Sequence, residues 1–231
     1  MFIEEQITVV SDGARLAAVL GYPESGAPPY TVLLCPPHPN FAGDMENNVI
    51  TALAREFSRD ALTLRFNYRG IGGSEIALNE EVSLYDFWSD IEETKDYSVP
   101  LYDVRACAAE LTQLSRGAPL VVVGYSFGAI VGLMAGQNIP AAAALVGIAP
   151  PLTRYDFSFF AGCKKPALLL SGTDDFVFSH EASDAIVLPH TVRREILSGE
   201  DHFFRDREAD LASRVRRFIR EFVSAALTGD K

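Results

Sequence analysis

A serine between two glycines carries the strongest chemical signal in the chain. The run Val121-Val122-Val123-Gly124-Tyr125-Ser126-Phe127-Gly128-Ala129 puts an apolar, strand-like stretch before the serine and a small-residue, helix-compatible stretch after it. A serine hydroxyl is a weak nucleophile until a base takes its proton. It must also be exposed, which a tight strand-to-helix turn achieves, and side chains at 124 and 128 would crowd such a turn. A helix starting there favours developing negative charge at its N-terminus. The bland alternative is a β–turn–α junction whose glycines serve packing alone.

The motif in this context resembles the α/β-hydrolase superfamily, over roughly Ile7 to Phe222. The resemblance implies an acid and then a histidine after the serine, each following a later strand. The apolar run Ala167 to Leu170 leads into Ser171-Gly172-Thr173-Asp174-Asp175-Phe176-Val177. This resembles the family's G-x-x-D turn, with Val177 two residues further on, and selects Asp175, with the adjacent Asp174 left open. Either would also serve as an ordinary turn-capping aspartate. The chain has four histidines. His38 precedes the serine, and His180 and His190 lie between the acid and the last predicted strand. His202 follows that strand, in Gly199-Glu200-Asp201-His202-Phe203, and resembles the family's G-x-x-H-F loop. The implied roles are Ser126 as nucleophile, His202 as general base and Asp175 as the group that orients the imidazole.

The resemblance also implies two backbone donors for an oxyanion: Phe127, after the nucleophile, and a residue of the loop after the strand Thr31 to Cys35. That loop reads Pro36-Pro37-His38-Pro39-Asn40-Phe41-Ala42-Gly43. Proline has no N–H, so His38, Asn40 and Phe41 are the donors available up to Phe41. His38 is the first choice, with Pro36-Pro37 standing in place of the usual His-Gly, and Asn40 the second, by backbone or side chain. The loop, Met45-Glu46-Asn47-Asn48 and the segment Arg65-Phe66-Asn67-Tyr68-Arg69-Gly70-Ile71-Gly72-Gly73-Ser74 resemble small bacterial hydrolases related to dienelactone hydrolases. Those use a cysteine nucleophile. Ser126 holds that position here, so lactone specificity does not transfer. Cys35 is read as a small core residue.

Positioning these groups requires an α/β domain. Ile7 to Val10 and Leu16 to Leu20 flank a turn and predict a hairpin. Strands are expected at Thr31 to Cys35, Ala61 to Phe66, Leu120 to Val123, Ala141 to Ile148, Ala167 to Leu170 and Val192 to Leu197. Helices are expected at Met45 to Arg59, Tyr102 to Leu114, Phe127 to Gln137 and Leu211 to Leu227. Such alternation predicts one domain over residues 1–231, with a mostly parallel, twisted sheet of about eight strands and helices on both faces. Loops after the strands then share one edge, where chemistry is expected. The segment Pro150 to Lys165 is too short for a large lid. The long connection from Gly70 to Pro100, especially residues 75–100, is a candidate partial cover. Its aromatic residues, Trp88 above all, join Tyr125 and Phe203 as candidate pocket residues; satellite core is the alternative.

Composition narrows the partners. The 231-residue chain has a formal net charge of −11, which disfavours nucleic acid. Arg214, Arg216, Arg217 and Arg220 fall on a predicted amphipathic helix and read as a solvated face. Cys35, Cys107 and Cys163 have no disulfide or metal spacing and read as reduced thiols of a cytoplasmic protein. The start, Met1-Phe2-Ile3-Glu4-Glu5, has no signal-peptide pattern, and no apolar run is long enough to span a bilayer. No metal and no cofactor are implied. The expected partner is a small ester-type substrate, cleaved (as ester or thioester) through an acyl-enzyme on Ser126. The alternatives are an acyltransferase and a non-catalytic binding member of the same fold.

Overall fold

The computed structural model describes residues 1–78 and 81–228. Strands β1 (Phe2–Ser11) and β2 (Ala14–Pro23) form the expected hairpin, longer at both ends than its apolar core suggests. Asp12 and Gly13 turn it with φ of 45° and 80°, the two positive values that a two-residue type I′ turn needs. Then come β3 (Thr31–Cys35), α1 (Asn48–Phe57), β4 (Leu62–Phe66), α2 (Leu84–Thr94), α3 (Ser98–Leu114), β5 (Leu120–Tyr125) and α4 (Phe127–Gly136). The chain continues through β6 (Ala142–Ile148), β7 (Ala167–Gly172), α5 (His180–Ala185), β8 (Val192–Leu197) and α6 (Glu208–Thr228).

The eight strands make one sheet in the order β1-β2-β4-β3-β5-β6-β7-β8. β1 and β2, and β2 and β4, pair antiparallel; the remaining pairs are parallel. Strand alternation sends successive residues to opposite cores. Leu33, Val122, Leu145 and Leu169 meet α3 and α4 on one face, whereas Val32, Leu34, Val121, Val146 and Leu168 meet α1 and α6 on the other. The connections after β3 and β5 leave toward opposite sides of the sheet, so a crevice opens between their C-terminal ends. Cys35 and Gly124 are paired at that point.

Two sequence expectations need correction. The long connection contains α2, which no element was expected to occupy. Its N-terminus is capped by Ser83, whose hydroxyl accepts the Asp86 N–H at 3.1 Å and donates to the Asp86 carboxylate at 2.6 Å. The arginines of α6 are not simply a solvated face. Arg216 is only 13 % exposed and pairs with Glu56 at 2.8 Å, while Arg214 and Arg217 both reach Glu195. These pairs tie α6 to α1 and β8. Among the described residues, no helix is long and apolar enough to cross a membrane. All three cysteines are free and buried.

Candidate active site

Ser126 sits between β5 and α4 with φ 56° and ψ −119°, a strained conformation for a residue with a side chain. Its N–H is held by the Ile148 carbonyl at 2.8 Å, and its own carbonyl accepts the Ala129 N–H at 2.9 Å. The flanking glycines are steric necessities. A Cβ at 124 would run into the Gly128 carbonyl, and one at 128 into the carbonyls of Cys35 and Pro36. Gly128 thus lets α4 press against the loop after β3.

His202 reaches the serine from the loop after β8. Its Nε2 lies 3.0 Å from Ser126 Oγ, and its Nδ1 lies 2.9 Å from Asp175 Oδ2. A carboxylate only accepts, so Nδ1 carries the proton and Nε2 of the neutral ring faces the serine hydroxyl as acceptor. The other Asp175 oxygen accepts the Val177 N–H at 2.9 Å. Asp175 is buried, whereas Asp174 is exposed and accepts only the neighbouring Thr173 hydroxyl. The pair left open by sequence is thereby separated in space. Asp201 Oδ1 takes the N–H groups of Phe203 and Phe204 and shapes the histidine loop. His180 and His190 are exposed.

The loop after β3 distinguishes its three candidate donors. The Phe41 N–H bonds the His38 carbonyl, and the Asn40 N–H bonds His38 Nδ1 at 3.1 Å. The Asn40 amide also donates to the Tyr85 carbonyl and the Ser89 hydroxyl, each at 3.0 Å. Among the described residues, the backbone N–H groups of His38 and Phe127 have no partner. The His38 ring is itself 4 % exposed. Burial pulls its pKa below 6.5, and the Glu92 charge and the Trp88 carbonyl oppose that pull.

A cleft of about 340 Å³ opens above the serine. Tyr125, Phe127, Tyr155 and Val177 supply apolar wall, and Phe41, Phe176 and Phe203 form its aromatic mouth. Phe176 and Phe203 flank the His202 ring at 4.9 and 5.6 Å between centroids. Two charged groups, Glu92 and Arg154, also line the cleft. Neither had been singled out in the sequence. Tyr125 and Phe203 are among the lining residues. Trp88 is not: at 0 % exposure it lies behind His38. Its ring packs on Tyr68 at 5.5 Å, and its indole N–H bonds the Arg69 carbonyl at 3.3 Å. That position is core and leaves no face for a substrate.

The Arg65-to-Ser74 segment is scaffolding. Asn67 bridges the Met45 N–H and the Gly72 carbonyl. Arg69 Nε pairs with the buried Asp103 at 2.8 Å. Burial pushes the Asp103 carboxyl upward, and bonds from Arg69 and Ser11 hold it back. Among the described residues, no group of three or more His, Cys, Asp or Glu is placed to hold a metal ion.

Residues 32–229 match the model of the alpha/beta hydrolase family, and the chain belongs to that family. It is 27 % identical over 201 residues to an uncharacterized protein of Rickettsia prowazekii, covering 81 % of this chain and 77 % of that one. An alpha-beta serine hydrolase homologue from Coxiella burnetii superposes with a TM-score of 0.76 at 25 % identity, covering 92 % of this chain and 96 % of its own. A lidless serine hydrolase of the same fold from Xanthomonas campestris gives 0.76 at 25 % identity, with 94 % of each chain covered. In this chain the β6–β7 connection, residues 149–166, holds one short 3-10 turn, Ser158–Phe160.

Proposed function

We propose that the protein is a serine esterase that cleaves carboxylic esters, or thioesters, through an acyl-enzyme on Ser126. One observation carries this reading: Ser126 Oγ, His202 and Asp175 are hydrogen-bonded in series at 3.0 and 2.9 Å, beside the backbone N–H groups of Phe127 and His38, which have no partner among the described residues. In the proposed reaction, Ser126 Oγ attacks the ester carbonyl carbon while His202 Nε2 takes its proton. Asp175 stabilises the resulting imidazolium. The N–H groups of Phe127 and His38 receive the charge on the carbonyl oxygen. As the tetrahedral intermediate collapses, the carbon–oxygen bond to the alcohol breaks and His202 returns the proton to the leaving group. Water then attacks the acyl-enzyme with the same base. The apolar cleft with its aromatic mouth suits an ester with an apolar acyl or alcohol part. Three free, buried cysteines fit a reducing compartment, so we place the protein in the cytoplasm.

Purified protein assayed on short-chain p-nitrophenyl esters beside Ser126→Ala tests the reading. Turnover in the wild type and none in a folded variant is the expected result. If the wild type is inactive on every ester and Ser126 resists a fluorophosphonate label, the serine is idle and the protein is a binding member of the fold.

A further inference from the structure

One face of α2 is turned onto the loop after β3. Residues 85, 88, 89 and 92 recur at the spacing of a single helical face. The Tyr85 carbonyl and the Ser89 hydroxyl take both amide protons of Asn40. Trp88 stands edge-on to the His38 ring at 5.8 Å. Glu92 Oε2 lies 3.4 Å from His38 Nε2 and accepts the Tyr155 hydroxyl at 2.6 Å. Burial first, and then the bond to Glu92, push the Tyr155 pKa up, so that hydroxyl keeps its proton and remains a donor.

These contacts fix the state of the His38 ring. Nδ1 accepts the Asn40 N–H, so it carries no proton. The proton of the neutral ring is then on Nε2, the atom that faces Glu92. Nε2 is buried and lacks any hydrogen-bond partner at normal distance. A buried donor in that state is costly, and the adjacent Glu92 carboxylate, together with the Trp88 carbonyl, offsets the cost. The chain Tyr155–Glu92–His38–Asn40 therefore joins three separate segments around one short loop. The backbone N–H of His38, free among the described residues, belongs to that loop.

We propose that Glu92 is a positioning residue that acts through the His38 imidazole to orient the His38 backbone N–H toward the oxyanion. This rests on the serine-hydrolase reading above. A donor is useful only within a few tenths of an ångström of the place where charge develops. The loop's own bonds, from the Phe41 and Gly43 N–H groups to the His38 carbonyl and from the Asn40 N–H to His38 Nδ1, set its turn; the His38 ring is met from outside the loop by Trp88 and Glu92 of α2.

The test compares wild type, Glu92→Leu and Glu92→Gln on p-nitrophenyl acetate, with thermal melts. Leucine removes the acceptor, and kcat is expected to fall by about tenfold to a hundredfold with KM nearly unchanged. Affinity for a trifluoromethyl ketone, which forms a tetrahedral adduct, should fall in step. Glutamine keeps an acceptor oxygen and should restore most of kcat. A leucine variant that melts like wild type and keeps kcat and ketone affinity overturns the proposal. So does a loss confined to KM, which would make Glu92 a substrate contact. If the leucine variant does not fold, nitrogen-15 NMR of wild-type His38 decides. A neutral ring protonated on Nε2 at about pH 8 supports the proposal, and a neutral ring protonated on Nδ1 overturns it. Absence of Ser126-dependent turnover in the wild type overturns the hydrolase reading and this one together. An active wild type with an unaffected leucine variant overturns this one alone.

Discussion

The Tyr125 hydroxyl donates to the His202 carbonyl at 2.8 Å. The residue before the serine thus holds the backbone of the residue whose ring faces that serine, across 77 positions of sequence. Burial, reinforced by Asp175 and Asp201, pushes the Tyr125 pKa up, so the group remains a donor. Tyr125→Phe leaves a buried carbonyl unpaired. We expect a loss of about 1–3 kcal/mol in urea unfolding and a fall in kcat, with KM little changed because the ring still lines the cleft. A variant as stable as wild type would show that water replaces the hydroxyl without loss.

The two adjacent aspartates give a second prediction. Asp175 bonds the imidazole from a buried position, and Asp174 bonds only Thr173 at the surface. Asp175→Asn presents an amide to Nδ1 and favours the wrong tautomer, so kcat should fall by roughly 10⁴-fold. Asp174→Asn should stay close to wild type. The reverse pattern in an ester assay would move the acid to Asp174.

What the sequence reveals of this site follows the range over which each feature is encoded. Gly124, Ser126 and Gly128 are legible because the elbow is a local backbone demand, met within five residues. The choice of Asp175 over Asp174 is legible only through the family resemblance, because physically it depends on which carboxylate a distant loop buries. Helix α2 lies in an acidic stretch that masks its apolar stripe, Leu84, Phe87, Trp88 and Ile91, which has the i, i+3, i+4, i+7 spacing of one helical face. Its start was nonetheless written in the sequence, since Ser83 with Asp86 three residues on is a capping pattern. Trp88 shows a further limit. An aromatic residue in a long connection can face ligand or core, and only the position of Tyr68 and Arg69 beneath it decides. Arg216 looks like surface charge until its partners, Glu56 of α1 and Asp60 of the turn after it, arrive from some 160 residues away.

Burial and exposure also separate two aromatic substitutions. Trp88→Ala removes a fully buried ring and should cost about 3–5 kcal/mol, with acyl preference among surviving molecules unchanged. Phe203 is 41 % exposed at the cleft mouth. Phe203→Ala should barely alter the melt and should shift kcat/KM across a series of acyl chain lengths. An altered chain-length profile in the Trp88 variant, with stability intact, would return that residue to the pocket.

His38 ties stability to pH. Its native pKa lies below 6.5, chiefly because burial disfavours the charged ring. The unfolded chain takes up the proton near the ordinary value, while the native state resists it. Stability on this account is fully present above about pH 6.5 and falls as pH drops toward the native pKa. Thermal melts at about pH 8 and about pH 5.5 should differ less in His38→Asn than in wild type. Equal differences would mean that His38 titrates alike in both states.

Ser126 stores strain that two inactive variants can expose. Its φ of 56° and ψ of −119° suit glycine and strain any residue with a Cβ. Holding a side chain there costs on the order of 1–3 kcal/mol. Ser126→Ala removes the hydroxyl and keeps the Cβ, so the strain persists. Ser126→Gly removes both, at an entropic cost of roughly 0.5–1 kcal/mol from the freer unfolded chain. The glycine variant should therefore be more stable than the alanine variant by about 1 kcal/mol in urea unfolding. Neither should turn over ester. Equal stabilities would mean that the bonds to Ile148 and Ala129 hold the elbow without strain at residue 126. A glycine variant less stable than the alanine one would mean that the alanine methyl group gains more from packing than the backbone loses.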